Sequence, residues 1–485
     1  MGKTLVIAEK PSVANDLARA LGSHWQKHPE GYQENEDFII TSAIGHLVEL
    51  CLPSDLAGRS KWSLENLPLL PNPFQLKVIE KTADRFKLIS QLLKRREVED
   101  VVNACDSGRE GELIFRYIMQ LAGNRKPVKR LWLQSMTPAA IRDGFQHLRE
   151  ESELDALARA AVCRSESDWL VGINGTRAAT VISSKGLGFQ LTPMGRVQTP
   201  TLAILVDRED KIRRFEPKDF WEVHGTFEAG SGSYGGRWFD EHFKKAESGD
   251  ETSADQKAER IWDRDKAEAI RKKCEGQPGQ VEEKTKPTTQ APPLLYDLTS
   301  LQREANSRFG LPAARTLKLA QSLYEKHKVL TYPRTDSRAL PEDYIPVVKK
   351  TLGLLKDGEW GAFAAKVLNA DWVRPNKRIF NNAKISDHFA IIPTGQVPGH
   401  LNEYEAKVYD MVARRFIAAF YPAAQFEVTT RITRVEGEPF KTEGKVLVEP
   451  GWLEVYGKTA GGDKAASGNG GDEDPTQKIL VPVGD

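Results

Sequence analysis

Cysteine is scarce: four residues, Cys51, Cys105, Cys163 and Cys274, are spread over a chain of 485 with no Cys-x-x-Cys pair. Neither a disulfide framework nor a structural zinc site is expected, and a reducing cytosol is the natural setting. No apolar run approaches the ~18 residues that span a bilayer. The first residues pass straight into the strand-like Thr4-Leu5-Val6-Ile7, so no signal peptide and no membrane partner are expected. A Gly-x-x-x-x-Gly-Lys-Ser/Thr loop is also missing, which leaves no cradle for nucleotide triphosphate. Charge of one sign is lacking as well, the formal net charge being +1. That does not exclude nucleic acid, because positive charge can gather on one surface. Ser300 to Leu340 holds eight Lys/Arg against three Asp/Glu, although a solvated helix face accounts for that excess equally well.

What remains is ordinary globular composition, 40% hydrophobic and 28% charged, at a length that suggests roughly three domains. Thr4 to Glu9 reads as a buried strand, with Ser12 as the expected cap of a helix bearing Val13, Leu17, Ala20 and Leu21. A second strand, Asp100 to Cys105, leads through Asp106-Ser107-Gly108-Arg109-Glu110-Gly111-Glu112 into a helix striped by Leu113, Ile114, Tyr117, Ile118 and Leu121. Strand, acidic loop and helix in repetition predict an α/β layer with a parallel sheet, and ligands gather at the carboxyl ends of such strands, where Glu9 and Asp106 fall. Residues 154–179 read as helix, Phe220 to Phe227 as an alternating strand, and 247–256 as a polar surface loop. Strong helices follow over 298–330 and 402–420, with strands near 425–435 and 440–448. Residues 459–475 are Gly-, Asp- and Ser-rich and read as flexible.

Two segments carry chemistry. In Leu330-Thr331-Tyr332-Pro333-Arg334-Thr335-Asp336-Ser337, the proline biases Tyr332 to extended backbone, and Arg334 then points to the same side. A phenol with a pKa near ~10 is a weak nucleophile at neutral pH, and a neighbouring guanidinium favours its anion and neutralises a phosphate. A tyrosine that merely ends a helix against the core is the plainer explanation. The second segment is Asp106-x-Gly108-x-Glu110-x-Glu112, with Glu9 on the first strand. Carboxylates at alternate positions of a tight loop can share a hard cation such as Mg²⁺. An acidic first turn that complements the helix dipole would look the same.

Taken together, the motifs resemble the type IA DNA topoisomerases over nearly the whole chain. Ile7-Ala8-Glu9-Lys10-Pro11-Ser12 is similar to the first motif of their Toprim domain in the topoisomerase III branch, and Gly45-His46-Leu47 to a further short one. Ala104 to Glu112 is similar to the acidic Toprim motif. Asp168-x-x-Val171-Gly172-x-Asn174-x-Thr176-Arg177 and Gly195-Arg196-Val197-Gln198-Thr199-Pro200 match two motifs of the DNA-binding region. Tyr332-Pro333-Arg334 matches the catalytic tyrosine motif, and Ser386-Asp387-His388-x-Ala390-Ile391 the histidine motif. Gly108 departs from the family's frequent Asp-x-Asp-x-Glu. Weaker metal affinity is expected from it, with Gly108→Asp restoring a third carboxylate unless the glycine serves a positive φ. The chain also ends before the helical stretch that closes the family's toroid, as a partial sequence would.

The resemblance implies a multidomain toroid combining α/β, α and β parts. Its expected segments are an N-terminal Toprim domain over 1–150, a helical strand-binding domain over 151–214, and a β-rich arch over 215–285 and 401–458. A helical tyrosine domain spans 286–400, and a flexible tail with a final strand spans 459–485. The implied activity is ATP-independent cutting of one DNA strand through a 5′-phosphotyrosine, strand passage and resealing, relaxing or decatenating DNA. Tyr332 is the implied nucleophile, Glu9 the general acid and base, and Lys10, Arg334 and His388 the phosphate contacts. Glu9, Asp106 and Glu110 are the implied Mg²⁺ ligands, with Glu112 as an additional candidate. Arg177, Arg196, Gln198 and Thr199 are the implied strand contacts. The expected partners are single-stranded and underwound duplex DNA, for a monomer in a bacterial cytosol. A Toprim primase or nuclease would explain Glu9 and Asp106 but not Tyr332, and an inert single-strand-binding module would bind without cutting.

Overall fold

The structure, a computed structural model, describes residues 2–57, 61–185, 188–244, 256–459, 480 and 482–483. Nearly all of the expected flexible segment and final strand, and of the polar loop at 247–256, lies outside those residues. The chain forms two compact units. One comprises Met1–Phe215, Ala339–Tyr344 and Phe380–Phe389, and the other Glu216–Arg338, Ile345–Ile379 and Ala390–Asp485.

The first unit is built on β1 (Lys3–Ala8), β2 (Gln26–His28), β3 (Tyr32–Glu34), β4 (Phe38–Ser42), β7 (Val98–Ala104), β8 (Val128–Arg130) and β9 (Arg149–Glu150). Their order in the sheet is β2-β3-β4-β1-β7-β8-β9. The pairs β1–β4, β1–β7 and β7–β8 are parallel, as the sequence predicts, while β2–β3, β3–β4 and β8–β9 are antiparallel, so the sheet is mixed. A separate ribbon pairs β5 (Val48–Leu50) with β6 (Leu76–Val78).

A strand buried on both faces must be apolar at every position. In β1, Leu5 and Ile7 enter one core cluster, with Ile39, Val101, Leu113 and Phe115. Val6 and Ala8 enter the opposite one, with Leu17, Ile40, Val102 and Ile141. The first cluster is covered by α3 (Ala83–Leu93), α4 (Arg109–Ala122) and residues 161–173 of α6 (Asp155–Ser183), and the second by α1 (Pro11–Leu21) and α5 (Pro138–Gln146). The short α2 (Pro53–Ala57) and the long α7 (Gln198–Arg213) complete the unit. Ser12 is not the helix cap: Lys10 holds that position, and Pro11 begins the helix, where a missing N–H costs nothing.

The second unit has a five-stranded antiparallel sheet in the order β10-β11-β14-β13-β12. Its strands are β10 (His224–Ala229), β11 (Gly232–Trp238), β12 (Gly279–Gln290), β13 (Ala424–Val435) and β14 (Glu438–Glu449). The alternation read at 220–227 reappears as alternating burial along β10. Ala267 and Ile270 of α8 (Arg264–Cys274) pack on Trp238, Val435 and Phe440. The rest is helical: α9 (Leu298–Phe309), α10 (Ala313–Glu325), α11 (Ile345–Leu355), α12 (Gly361–Asn369) and α13 (Glu403–Ala418). Among the described residues no helix is long and apolar enough to cross a membrane.

Candidate active site

Two neighbouring parallel strands set the site of the first unit. Ala8 of β1 lies opposite Ala104 of β7, so Glu9 and Asp106 leave the same edge of the sheet side by side. Lys10 Nζ donates to Asp106 Oδ2 at 2.5 Å and lies 3.5 Å from Glu9 Oε1. His388 Nε2 lies 3.2 Å from the same Asp106 oxygen. Four residues predicted from three separate motifs thus meet in one partly buried cluster.

The two carboxyls are pushed in opposite directions. Burial would raise Asp106, but the His388 hydrogen bond and the Lys10 charge overcome it and hold the group down at about 2. Burial and the Asp106 charge raise Glu9 above the usual carboxylate range, against the opposing pull of Lys10 and His388. A carboxyl that holds its proton more tightly than usual beside one that gives it up more readily is a division suited to acid–base work.

The acidic loop is clamped from beneath by Arg130, at the end of β8 and 1% exposed. Its guanidinium donates to the carbonyls of Asn103, Cys105 and Asp106 at 2.9, 2.8 and 2.7 Å. Glu112 balances the charge, its Oε2 lying 3.3 Å from Arg130 Nε, and it also accepts from Arg116 and Asn103. Sequence reasoning missed Arg130. The available signal was a basic residue at the end of a strand-like run, Val128-Lys129-Arg130-Leu131.

Glu112, the additional metal candidate, therefore turns into the core rather than toward Asp106. The reason is helical geometry. The helix begins at Arg109, so Glu110 and Glu112 stand ~200° apart on it rather than along a loop. Glu110 faces outward, and its Oε1 lies 2.6 Å from His46 Nε2, a hydrogen bond that lowers its pKa. Gly108 does not serve a positive φ either, since its φ of −161° is extended backbone open to any residue.

Among the described residues no three His, Cys, Asp or Glu side chains are grouped to hold an ion. Glu9 and Asp106 still fit a hard cation. Glu9 Oε2 is buried and accepts no hydrogen bond, so an oxygen with full acceptor capacity waits beside Asp106. Mg²⁺ needs only one or two carboxylates when water and phosphate supply its other ligands.

Tyr332 belongs to the second unit. Thr331, just before it, is fixed by its N–H to the Ile392 carbonyl at 3.0 Å and by its hydroxyl to the Ala390 carbonyl at 3.0 Å. The Tyr332 ring meets Tyr324 edge-on, centroids 5.4 Å apart. Beyond it burial alternates: Pro333, Thr335 and Ser337 are buried, while Arg334, Asp336 and Arg338 are exposed. Arg334 accordingly falls on the tyrosine's side of the segment.

The strand-contact candidates divide. Arg196 makes a two-pronged pair with Asp168, at 2.6 and 3.1 Å. Thr199 accepts from the Gly195 N–H at 3.1 Å, and Gln198 opens α7. Arg177 lies over the Trp62 ring, 5.3 Å from its centroid. Both line a cleft of about 820 Å³ with Lys61, Lys185 and Phe189. Trp62 and Phe189 were not singled out from sequence, since isolated aromatics carry no local pattern.

Residues 4–136 match the family model described as Toprim domain, and residues 152–480 the one described as DNA topoisomerase. The chain is 40% identical over 460 residues to DNA topoisomerase 3 of Bacillus subtilis (strain 168), covering 94% of this chain and 60% of that protein. It is 42% identical over 458 residues to DNA topoisomerase 3 of Shouchella clausii, covering 93% and 59%. The chain thus spans about three fifths of the curated relatives it matches. In fold it is similar to full-length topoisomerase I from Thermotoga maritima, with a TM-score of 0.60 and 21% identity over 99% of this chain and 70% of that one.

Proposed function

This chain belongs to the type IA DNA topoisomerase family, and from that we propose that it cuts one DNA strand with Tyr332 and reseals it without nucleotide triphosphate. The observation that carries the reading is the opposed pair Glu9 and Asp106 on adjacent strand ends, with Lys10 and His388 on the lower-pKa member.

In the cutting step, Tyr332 Oη bonds to the phosphorus and the bond from phosphorus to the 3′ oxygen breaks. The phenol proton leaves to solvent, and Glu9 gives its proton to the departing 3′ oxygen. Resealing reverses both transfers, so the bond energy is kept in the phosphotyrosine. Lys10, His388 and Arg334 offset the charge that develops on the phosphate oxygens.

Toprim domains are in general divalent-metal-binding domains. Here Glu9 and Asp106 would hold the ion, which we take to be Mg²⁺, and Glu110 would join them only by giving up His46. The ion, when bound, supplies positive charge at the phosphate. The Glu9 oxygen that accepts no hydrogen bond can be satisfied by a proton or by a cation.

We assign the single strand to the face carrying Arg177, Arg196, Gln198 and Thr199, with a base stacked at Trp62 and Phe189. Aromatic platforms flanked by cations are a usual way to hold unpaired bases. We keep the arch and tyrosine domains at the boundaries given above. We further propose single-stranded and underwound duplex DNA as substrates, in a bacterial cytosol.

A denaturing gel tests the proposal. Single-stranded DNA labelled on the side that becomes 5′-linked should comigrate with the protein. Tyr332→Phe should abolish the adduct while strand binding stays within about twofold. An adduct formed by the Phe protein would remove Tyr332 as nucleophile, and cutting without any adduct would favour a Toprim nuclease.

A further inference from the structure

The acidic loop presents Asp106 and Glu110 with Gly108 between them, where a family member often has a second aspartate. Nothing in the backbone demands glycine there, because φ is −161° and ψ −179°. What competes with a side chain is volume: a Cβ built on Gly108 would overlap the carboxylate of Asp387 as it stands, all three of whose terminal atoms crowd that point. The space of a residue-108 side chain is therefore filled by a carboxylate from a distant part of the sequence.

The residues on both sides of Asp387 are held in place. His388, the next residue, sets its Nε2 3.2 Å from Asp106 Oδ2. On the other flank, Gln134 Nε2 donates to the Ile385 carbonyl at 3.2 Å. Phe389 packs on Tyr344, ring centroids 4.8 Å apart, within the same compact unit. The segment is thus tied to the loop at residue 388 and to other parts of the same unit at residues 385 and 389.

We propose that Asp387 returns to the acidic site the carboxylate that Gly108 lacks, as an oxygen donor to the divalent cation held by Glu9 and Asp106. The proposed donors then come from three stretches of chain: the end of β1, the end of β7 and the 385–389 segment. The glycine is the complement of this arrangement rather than a defect, since a side chain at 108 and a carboxylate at 387 compete for one volume. The inference rests on the metal reading of the site given above. The rival role for Asp387 is electrostatic, a carboxylate at the N-terminus of α4 that needs no metal.

Calorimetric titration of the full chain with Mn²⁺, in the absence of DNA, separates these roles. Asp387→Asn should weaken Mn²⁺ binding about tenfold or more, a loss of the size seen when groups around a metal are removed. Gly108→Asp combined with Asp387→Ala should return the affinity to within about threefold of the parent, because the carboxylate is moved across the same volume. Asp106→Asn is the control for the site itself, and melting in chelator checks that each variant is folded. Unchanged affinity in Asp387→Asn, with affinity lost in Asp106→Asn, overturns the role of Asp387 alone. Unchanged affinity in both overturns the metal reading on which it rests.

Discussion

Single residues of the acidic site trade stability for chemistry. Glu9 has a pKa raised by burial and by Asp106, so its charged form is disfavoured in the folded chain. Its contribution to stability is full below the ordinary carboxylate pKa of 4.5 and is lost as pH rises through the folded value. Asp106 has the opposite sign, stabilising above its ordinary 3.8 and losing that only as pH falls toward about 2. Glu9→Gln should therefore be more stable than the parent at pH 8 in chelator, by about 1 kcal/mol for a buried oxygen without a partner, and no more stable at pH 4. Chemical denaturation at the two pH values checks this, and an equal gain at both would show that charge is not the cause. Arg130 is the contrasting case, a buried cation with its counter-ion and three loop carbonyls. Arg130→Leu should cost about 3–5 kcal/mol, because Glu112 and the carbonyls lose their partner. Adding Glu112→Gln should recover part of that cost; a double variant as unstable as the sum of the two singles would deny the coupling.

At the scale of elements, the sequence was informative where periodicity was strong and silent where chain segments meet at long range. The continuous burial of β1 and the apolar stripe of α4 follow from local pattern, and Leu113, Ile114, Tyr117 and Ile118 are all buried. The placement of Glu112 did not follow, because the loop reading ran to Glu112 whereas the helix starts at Arg109, which puts Glu110 and Glu112 on different faces. The packing of His388 on Asp106 and of Asp387 on Gly108 leaves no local trace, and only the motif resemblance joined the first pair. Helix α7 departs from any amphipathic rule: none of its residues is buried, and Leu202, Ile204 and Leu205 are 60%, 69% and 61% exposed. A surface helix that leaves such residues in water gains nothing from them within this chain. Leu205→Ser should change unfolding stability by less than about 0.5 kcal/mol while raising the concentration at which the chain aggregates. A loss of 2 kcal/mol or more would mean that α7 packs on something in solution.

At the scale of the molecule, the chain passes between its two compact units at Phe215, Arg338, Tyr344, Ile379 and Phe389, yet each unit keeps its own core. All of the proposed metal ligands, Glu9, Asp106 and Asp387, belong to one unit, and Tyr332 belongs to the other. A ligand that binds only the folded form stabilises what it binds, by about 2.7 kcal/mol at a hundred times its dissociation constant. Mg²⁺ should therefore raise the melting of the unit carrying β1 and β7 and leave the unit carrying Tyr332 where it was. A scanning calorimeter trace taken across a Mg²⁺ series should show one component moving and one fixed. Asp106→Asn identifies the moving component, since in that variant it should stop responding to the ion. Were both components to shift together by the same free energy, the two units would unfold as one cooperative body. The metal would then report on the whole chain rather than on the acidic site alone.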